Sequence, residues 1–227
     1  LRELTRYRAA LVRRRTQAKN QVNGVLIRCG ILRPHGDIFG TRGLSWLKAV
    51  GLPPPMRHQM KGWLAQLDSV GDAIDAVEKE LFCRLLSSER WQQDAELLLS
   101  IPGVGKLTAL TILAELGDYR RFARRSQVAA YAGLVPKSRR SDQTVRYGRL
   151  TRRGPAALRT ILVEIALQAA RQSPRYSRLY EKLKACGRAN AGKAAVARQL
   201  LEDAWTLLIK RKPYCEQPQQ AISARVG

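Results

Sequence analysis

Residues 133–154 hold the side chains best suited to chemistry. A turn, Gly133-Leu-Val-Pro136, leads into Lys137-Ser-Arg-Arg-Ser141, and a run of arginines follows up to Gly154. Between residues 120 and 153 stand eleven basic residues (Arg120, Arg121, Arg124, Arg125, Lys137, Arg139, Arg140, Arg146, Arg149, Arg152 and Arg153) and one acid, Asp142. A hydroxyl set among guanidinium groups suits a nucleophile that must meet a phosphodiester, because the guanidinium fork neutralises two phosphate oxygens at once. The plainer alternative is a solvated basic loop that only grips backbone phosphate. Composition alone favours that alternative.

A second stretch, Leu99-Ser-Ile-Pro-Gly-Val-Gly-Lys-Leu-Thr-Ala-Leu110, invites comparison with a nucleotide-binding P-loop. The match fails twice. Ser100 stands where the first glycine is needed, and Leu107 follows the lysine where a Ser or Thr is needed. The pattern apolar-Pro-Gly-Val-Gly resembles instead a helix-hairpin-helix turn. In such a turn Gly103 and Gly105 let the backbone approach a phosphate, amides at the start of the next helix point at the anion, and Lys106 adds a charge. A grip of this kind positions nucleic acid without reading its sequence. The competing reading is a tight glycine turn between two packed helices. Glu164, inside Ile-Leu-Val-Glu-Ile-Ala-Leu, reads as an ion-pair partner of Arg159 or Arg171. Two-metal phosphoryl transfer needs convergent carboxylates, and this basic region does not supply them.

The whole chain leans the same way. Lys and Arg number 41 against 18 Asp and Glu, a formal charge of +23 over 227 residues. Self-repulsion of that size is relieved by a polyanion, so nucleic acid is the expected partner. No apolar run approaches the ~18–20 residues of a spanning helix, which speaks against a membrane. Cys29, Cys83, Cys186 and Cys215 form no CxxC pair, and with only His35 and His58 beside them no metal site is expected. Reduced thiols in a cytoplasmic, nucleoid-associated protein are the simplest expectation. The chain opens on Leu1, already inside a helical pattern, and reads as the later part of a longer protein.

These residues must be held by helices. The chain reads as mostly α: a two-helix coiled-coil arm followed by a compact helical domain. In residues 1–33 a basic helix over 1–28 repeats Leu4, Leu11, Ala18 and Val25 every seven residues. A Gly/Pro loop is expected over 34–57. A second helix over 58–90 carries Met60, Trp63, Leu67, Val70, Ile74, Val77, Leu81 and Leu85 at alternating three and four spacing. Its Asp68, Asp72, Asp75, Glu78 and Glu80 oppose the charge of the first helix. Both a hairpin within one chain and a dimerising coiled coil fit this pattern. The domain over 95–212 reads as short helices ending near Ser100, over Lys106–Leu116, over 127–131, over 156–171 and over 194–210. Within it lies the basic loop 133–154, where only 143–150 suggests a short hairpin. A polar, frayed tail is expected over 213–227.

Taken in order, Ile-Pro-Gly-Val-Gly, then Phe122, Tyr131-Ala-Gly-Leu-Val-Pro136, Ser141, Gly148-Arg-Leu-Thr-Arg-Arg-Gly154 and Leu158-Arg159 resemble the C-terminal half of Piv/MooV-type insertion-sequence transposases. These are DEDD transposases that act as bridge-RNA-guided serine recombinases. The resemblance extends over nearly the whole chain, with 1–31 similar to the segment that closes the family's RuvC-like domain and enters its coiled coil. It implies a nucleophile at the serine after the Gly-Leu-Val-Pro turn, here Ser141, with Ser138 as the nearby competitor that the spacing from Pro136 disfavours. The family usually has glycine after that serine, and here Asp142 stands there.

The resemblance further implies that Ser141 attacks a DNA phosphorus to form a phosphoserine link. Arg139, Arg140 and Arg146 would stabilise the charge on phosphorus, while Gly103, Gly105, Lys106, Arg152 and Arg153 would hold backbone phosphates. The expected partners are DNA, a structured guide RNA and further copies of the chain in a dimer or tetramer. Magnesium is implied for the RuvC-like domain, whose carboxylates would lie upstream of Leu1, and no cofactor is expected in this segment. Alone, the segment should bind but not cut. Two rivals remain at this stage: a non-enzymatic nucleic-acid-binding helical module, and an inactive transposase remnant.

Overall fold

A computed structural model describes residues 1–34, 36–141, 144–151 and 153–216, with the backbone alone over 137–141 and 144–149. The fold is mostly α. It divides into two compact units, one built from Glu3–Arg84 and the other from Leu85 onward.

The first unit is a helical hairpin. Helix α1, Arg2–Arg28, follows the expected heptad stripe from its second member: Leu11, Ala18, Val22, Val25 and Leu26 are buried, while Leu4 is only half-buried. Its partner α3 spans Pro54–Leu86, so it starts earlier than the expected residue 58 and ends before 90. Prolines are tolerated in a helix's first turn, where their missing N–H has no intrahelical partner, so Pro54 and Pro55 open the helix and do not extend the loop. The buried seam of α3 is Met60, Leu64, Leu67, Val70, Ile74, Val77 and Leu81, with Trp63 half-buried beside it. Arg8 Nε donates to Glu78 Oε1 at 2.6 Å, and Arg28 donates to Gln59 Oε1 at 3.2 Å. Low numbers meet high ones, so the two helices run antiparallel and the opposite charges pair within one chain.

The expected loop over 34–57 also needs correction, because it contains helix α2, Thr41–Ala49. This helix closes the hairpin's end. Leu47 joins Ile38, Leu52, Val22, Val25, Met60 and Leu64 in one apolar cluster, flanked by Phe39, Leu44 and Trp46. Gly43 lies against the Ile38 backbone so closely that a Cβ there would overlap it.

The second unit begins with α4, Glu89–Leu99, and α5, Lys106–Leu116. From Thr108 to Leu116 every residue of α5 is buried, which makes it the central rod of the unit. A 3-10 turn, Tyr119–Arg121, leads to α6, Arg125–Tyr131. Helices α7, Ala156–Gln172, α8, Pro174–Ala185, and α9, Ala189–Lys210, complete it, and α9 packs against α4, α6, α7 and α8. Helix α8 was not expected from the sequence. Ser173 caps it by accepting from the Tyr176 amide, and Pro174 occupies its first turn.

The basic stretch expected as a loop is an antiparallel ribbon, β1 Pro136–Ser141 and β2 Thr144–Leu150. The expected frayed tail is ordered over its first residues. Tyr214 stacks on Tyr176 with ring centroids 6.1 Å apart, and its amide donates to Ser100 Oγ at 2.8 Å. Glu216 accepts from Ser173 Oγ at 2.7 Å and from the Arg175 amide at 2.9 Å. Those two bonds, the backbone one first, hold the Glu216 carboxyl below the usual carboxylate range. Just before this strap, Arg211 pairs with the buried Asp94, which also accepts from Tyr119 Oη at 3.2 Å. Residues 217–227 of the expected tail lie outside the described residues.

Candidate nucleic-acid interface

The turn between α4 and α5 is built by packing. Ile101 and Val104 are buried, and the Val104 amide donates to the Ile101 carbonyl at 3.1 Å. Gly103 adopts φ +81°, and a Cβ on it would stand 2.8 Å from the Ala169 nitrogen and 2.9 Å from its Cα. Its lack of a side chain lets the turn rest on the backbone of α7. Gly105 differs. It is the exposed N-cap of α5 at φ −96° and ψ 172°, with open space where a Cβ would be and no side chain capping the helix. Lys106, first residue of α5, is exposed beside it. Of the three turn residues, Gly105 and Lys106 are free to face a ligand while Gly103 faces α7.

The ribbon is anchored firmly at its base. Gly133 and Gly154 bracket it at φ +68° and +112°. A Cβ on Gly154 would overlap the Tyr131 carbonyl oxygen, so only glycine permits this close approach. The Leu134 amide donates to the Ala129 carbonyl at 3.0 Å, and the Thr151 amide to the Val135 carbonyl at 2.9 Å. Arg159 reaches back from α7 to the Ala132 carbonyl at 3.1 Å. Beside this base Arg121 lies over the rings of Phe122 and Tyr131, 4.6 and 4.8 Å from their centroids. That exposed, stacked guanidinium was not singled out from the sequence, although aromatic residues flanking an Arg pair are a usable cue.

Along the ribbon the register sets out the candidate residues. Ser141 pairs with Thr144, Arg140 with Val145, Arg139 with Arg146 and Ser138 with Tyr147. Strand positions alternate between faces, so Arg139, Ser141, Thr144 and Arg146 share one face. Arg140 and Ser138 fall on the other, with Val145 and Tyr147. The expected trio of Arg139, Arg140 and Arg146 around Ser141 is thereby divided, two to one. Arg153 is exposed just past the ribbon, whereas Arg152 and Asp142 lie outside the described residues. The α4–α5 turn meets α7 at Ala169, thirteen residues from Ala156, where the ribbon's return strand enters that helix. At 1.5 Å per residue this is about 20 Å along the helix, so turn and ribbon meet α7 at well-separated places.

Three carboxylates of this unit are engaged by neighbouring side chains. Asp94 is held by Arg211 and Tyr119, Asp203 by Arg175 and Tyr176, and Glu202 by Arg198. Glu164 is exposed on α7 and makes no ion pair among the described residues, while Arg159, its expected partner, is engaged with Ala132. No group of three His, Cys, Asp or Glu converges among the described residues. No helix among them is long and apolar enough to cross a membrane.

Comparison with known proteins gives the chain relatives. Residues 95–181 match the family described as "Transposase IS116/IS110/IS902 family". The chain is 33% identical over 163 residues to the "Transposase for insertion sequence element IS1111A" of Coxiella burnetii, covering 70% of this chain and 44% of that protein. It is 32% identical over 169 residues to the "Transposase for insertion sequence element IS1328" of Yersinia enterocolitica, covering 72% and 48%. A "Probable family 20 transposase" of Pseudomonas aeruginosa is 28% identical over 217 residues, covering 92% and 63%. The chain thus spans about half the length of the curated relatives it matches.

Proposed function

We propose that this chain, whose residues 95–181 match the IS116/IS110/IS902 transposase family, serves DNA transposition, with Ser141 as the nucleophile of strand transfer. The observation that carries the reading is the register of the ribbon, in which Ser141 shares a face with Arg139 and Arg146. In the proposed step the Ser141 Oγ–phosphorus bond forms as the bond from phosphorus to the departing strand's oxygen breaks. The hydroxyl proton passes through solvent to that oxygen, leaving a phosphoserine link and a free strand hydroxyl. Arg139 and Arg146 stabilise the charge that builds on the phosphoryl oxygens. Gly105 and Lys106 at the start of α5, with Arg153 beyond the ribbon, hold backbone phosphates elsewhere on the duplex. A structured guide RNA, assembly as a dimer or tetramer and action at the nucleoid in the cytoplasm complete the proposal. Magnesium chemistry is assigned to none of the described residues, and no step here runs through it.

Trapping a protein–DNA adduct under denaturing conditions tests this, using a protein in which the chain is joined to an upstream RuvC-like domain. Ser141→Ala should remove the adduct while duplex affinity stays within about twofold, since one hydroxyl adds little beside so many cations. The chain by itself should bind and not cut. Its affinity should fall on the order of a thousandfold between 50 and 200 mM salt if ~6–10 phosphates are neutralised. An adduct that survives in Ser141→Ala but disappears in Ser138→Ala moves the nucleophile to the other face of the ribbon. Intact cleavage in both variants leaves the chain a nucleic-acid-binding module.

A further inference from the structure

The first unit holds a charge distribution that the strand-transfer reading does not use. From residue 4 to residue 67 there are twelve Lys and Arg and a single acid, Asp37. The acids of α3 begin only at Asp68, near the middle of the helix, and continue toward the end that meets the start of α1. The closed end of the hairpin is therefore nearly free of negative charge, while the other end neutralises itself through pairs such as Arg8 with Glu78.

At that acid-poor end α1 and α3 enclose an open groove of about 590 Å³, lined by Gln21, His58, Gln59, Gly62, Trp63 and Gln66. Gln59, Gly62, Trp63 and Gln66 recur at three and four residues, one continuous face of α3 beside its apolar seam. Asp68 stands nine residues from Gln59, two and a half turns, and so falls on the opposite side of the helix. On α1, Arg14, Gln17, Gln21 and Arg28 share the face that leads into the groove, and all four are exposed. Arg28 bridges the helices through Gln59. Gly62 has open space where a Cβ would be, so the floor of the groove there is backbone.

The lining combines three kinds of group. A half-buried indole offers a flat stacking surface that is fixed by the core behind it. Three glutamine amides offer both donors and acceptors, matching the edge of an unpaired base. Flanking guanidinium groups track a phosphate backbone. Single-stranded nucleic acid is the ligand class that uses all three together, since stacking on an aromatic ring needs bases that are already splayed from a duplex. A duplex would engage the arginines alone.

We propose that this groove binds an unpaired nucleic-acid segment, one base stacking on Trp63 and the edges of that base and its neighbours meeting the amides of Gln21, Gln59 and Gln66. The inference shares with the strand-transfer reading only that nucleic acid is the partner. It needs neither Ser141 nor the ribbon, so either can fail alone.

The test measures fluorescence anisotropy of labelled dT20, rU20 and a 20-base-pair duplex with the chain, in parallel with Cys83→Ser, an exposed position on α3 twenty residues from Trp63, as an indifferent control. Trp63→Leu keeps an apolar side chain against the core and removes the stacking ring. It should weaken dT20 or rU20 binding about tenfold, as loss of one stacked base does, with duplex affinity changed less than twofold. The stronger of the two single strands identifies the sugar preferred. In case the tryptophan variant unfolds, Gln21→Glu with Gln66→Glu alters two exposed positions and places two charges in the groove. It should weaken single strands at least tenfold while leaving the circular dichroism spectrum unchanged. Equal losses for duplex and single strands, or no loss for either, overturn the proposal. So does a glutamate variant that changes the sedimentation coefficient and not the oligonucleotide affinity, which would assign the groove to a second copy of the chain.

Discussion

Gly103 and Gly105 are two residues apart in one turn, and they should answer the same substitution differently. Gly103→Ala puts a side chain on a backbone at φ +81°, which costs an L-residue about 1–2 kcal/mol. Its Cβ would also stand 2.8 and 2.9 Å from backbone atoms of Ala169, a fully buried residue in the last turn of α7. Overpacking of that kind adds about 1–3 kcal/mol. Reduced freedom of the unfolded chain returns only about 0.4–1 kcal/mol. The net expectation is a loss of about 3 kcal/mol. Gly105→Ala meets open space at φ −96°, so its poorer capping and its smaller unfolded-state entropy offset each other to within about 1 kcal/mol. Urea unfolding followed by far-ultraviolet circular dichroism compares the two. With a slope near ~2 kcal/mol per molar, Gly103→Ala should lower the midpoint by about 1.5 M and Gly105→Ala by less than about 0.5 M. Equal midpoints would refute the packing argument. A stable Gly103→Ala protein with lost DNA affinity would show instead that this glycine exists for a phosphate.

Gly154→Ala should destabilise the second unit by at least ~2 kcal/mol, because φ +112° is strained for alanine and its Cβ overlaps the Tyr131 carbonyl; the same urea titration checks it, and an unchanged midpoint contradicts it. For Glu216, whose carboxyl is held below its ordinary range, the sign is that of a depressed acid: its contribution is present above the unfolded value and is lost as the pH falls through the folded one. Hydrogen exchange of the Arg175 amide should therefore lose protection on acidification through the carboxylate range, and Glu216→Gln should lack that dependence.

The parts visible in the sequence were those with strong local grammar. Lys106 opens a helix because Gly105 precedes it and an apolar run follows, and α1 and α3 carry long stripes at helical spacing. Helix α2 hid between Gly40 and Pro53, where its nine residues are too short to display a stripe against so much turn chemistry. Helix α8 has the right pattern in Tyr176, Leu179, Tyr180 and Leu183, but seven charged or small residues dilute it across twelve positions. The ribbon is polar along Lys137-Ser-Arg-Arg-Ser141, so the alternation that betrays a half-buried strand is missing. Candidate residues of the ribbon could be read by type and spacing, but their division between two faces depends on pairing across the tip. The pair of Asp94 with Arg211, 117 residues apart, and the hold of Glu216 on α8 are products of the tertiary fold alone.

The irregularity near the ribbon's base separates two properties that a plain hairpin would couple. Between the pairs Pro136 with Leu150 and Ser138 with Tyr147, β1 advances two residues while β2 advances three. The surplus residue lies at Gly148 or Arg149, and an insertion there bends its strand and tightens the local twist. Everything beyond it, including Ser141 opposite Thr144, is thus carried on an elbow whose bearing is set separately from which residues stand across from each other. Shortening β2 by Gly148 would restore even spacing and keep Arg139 opposite Arg146, yet swing the distal end to a new heading. The tip could in this way acquire a different reach over evolution without any change in the residues that it presents.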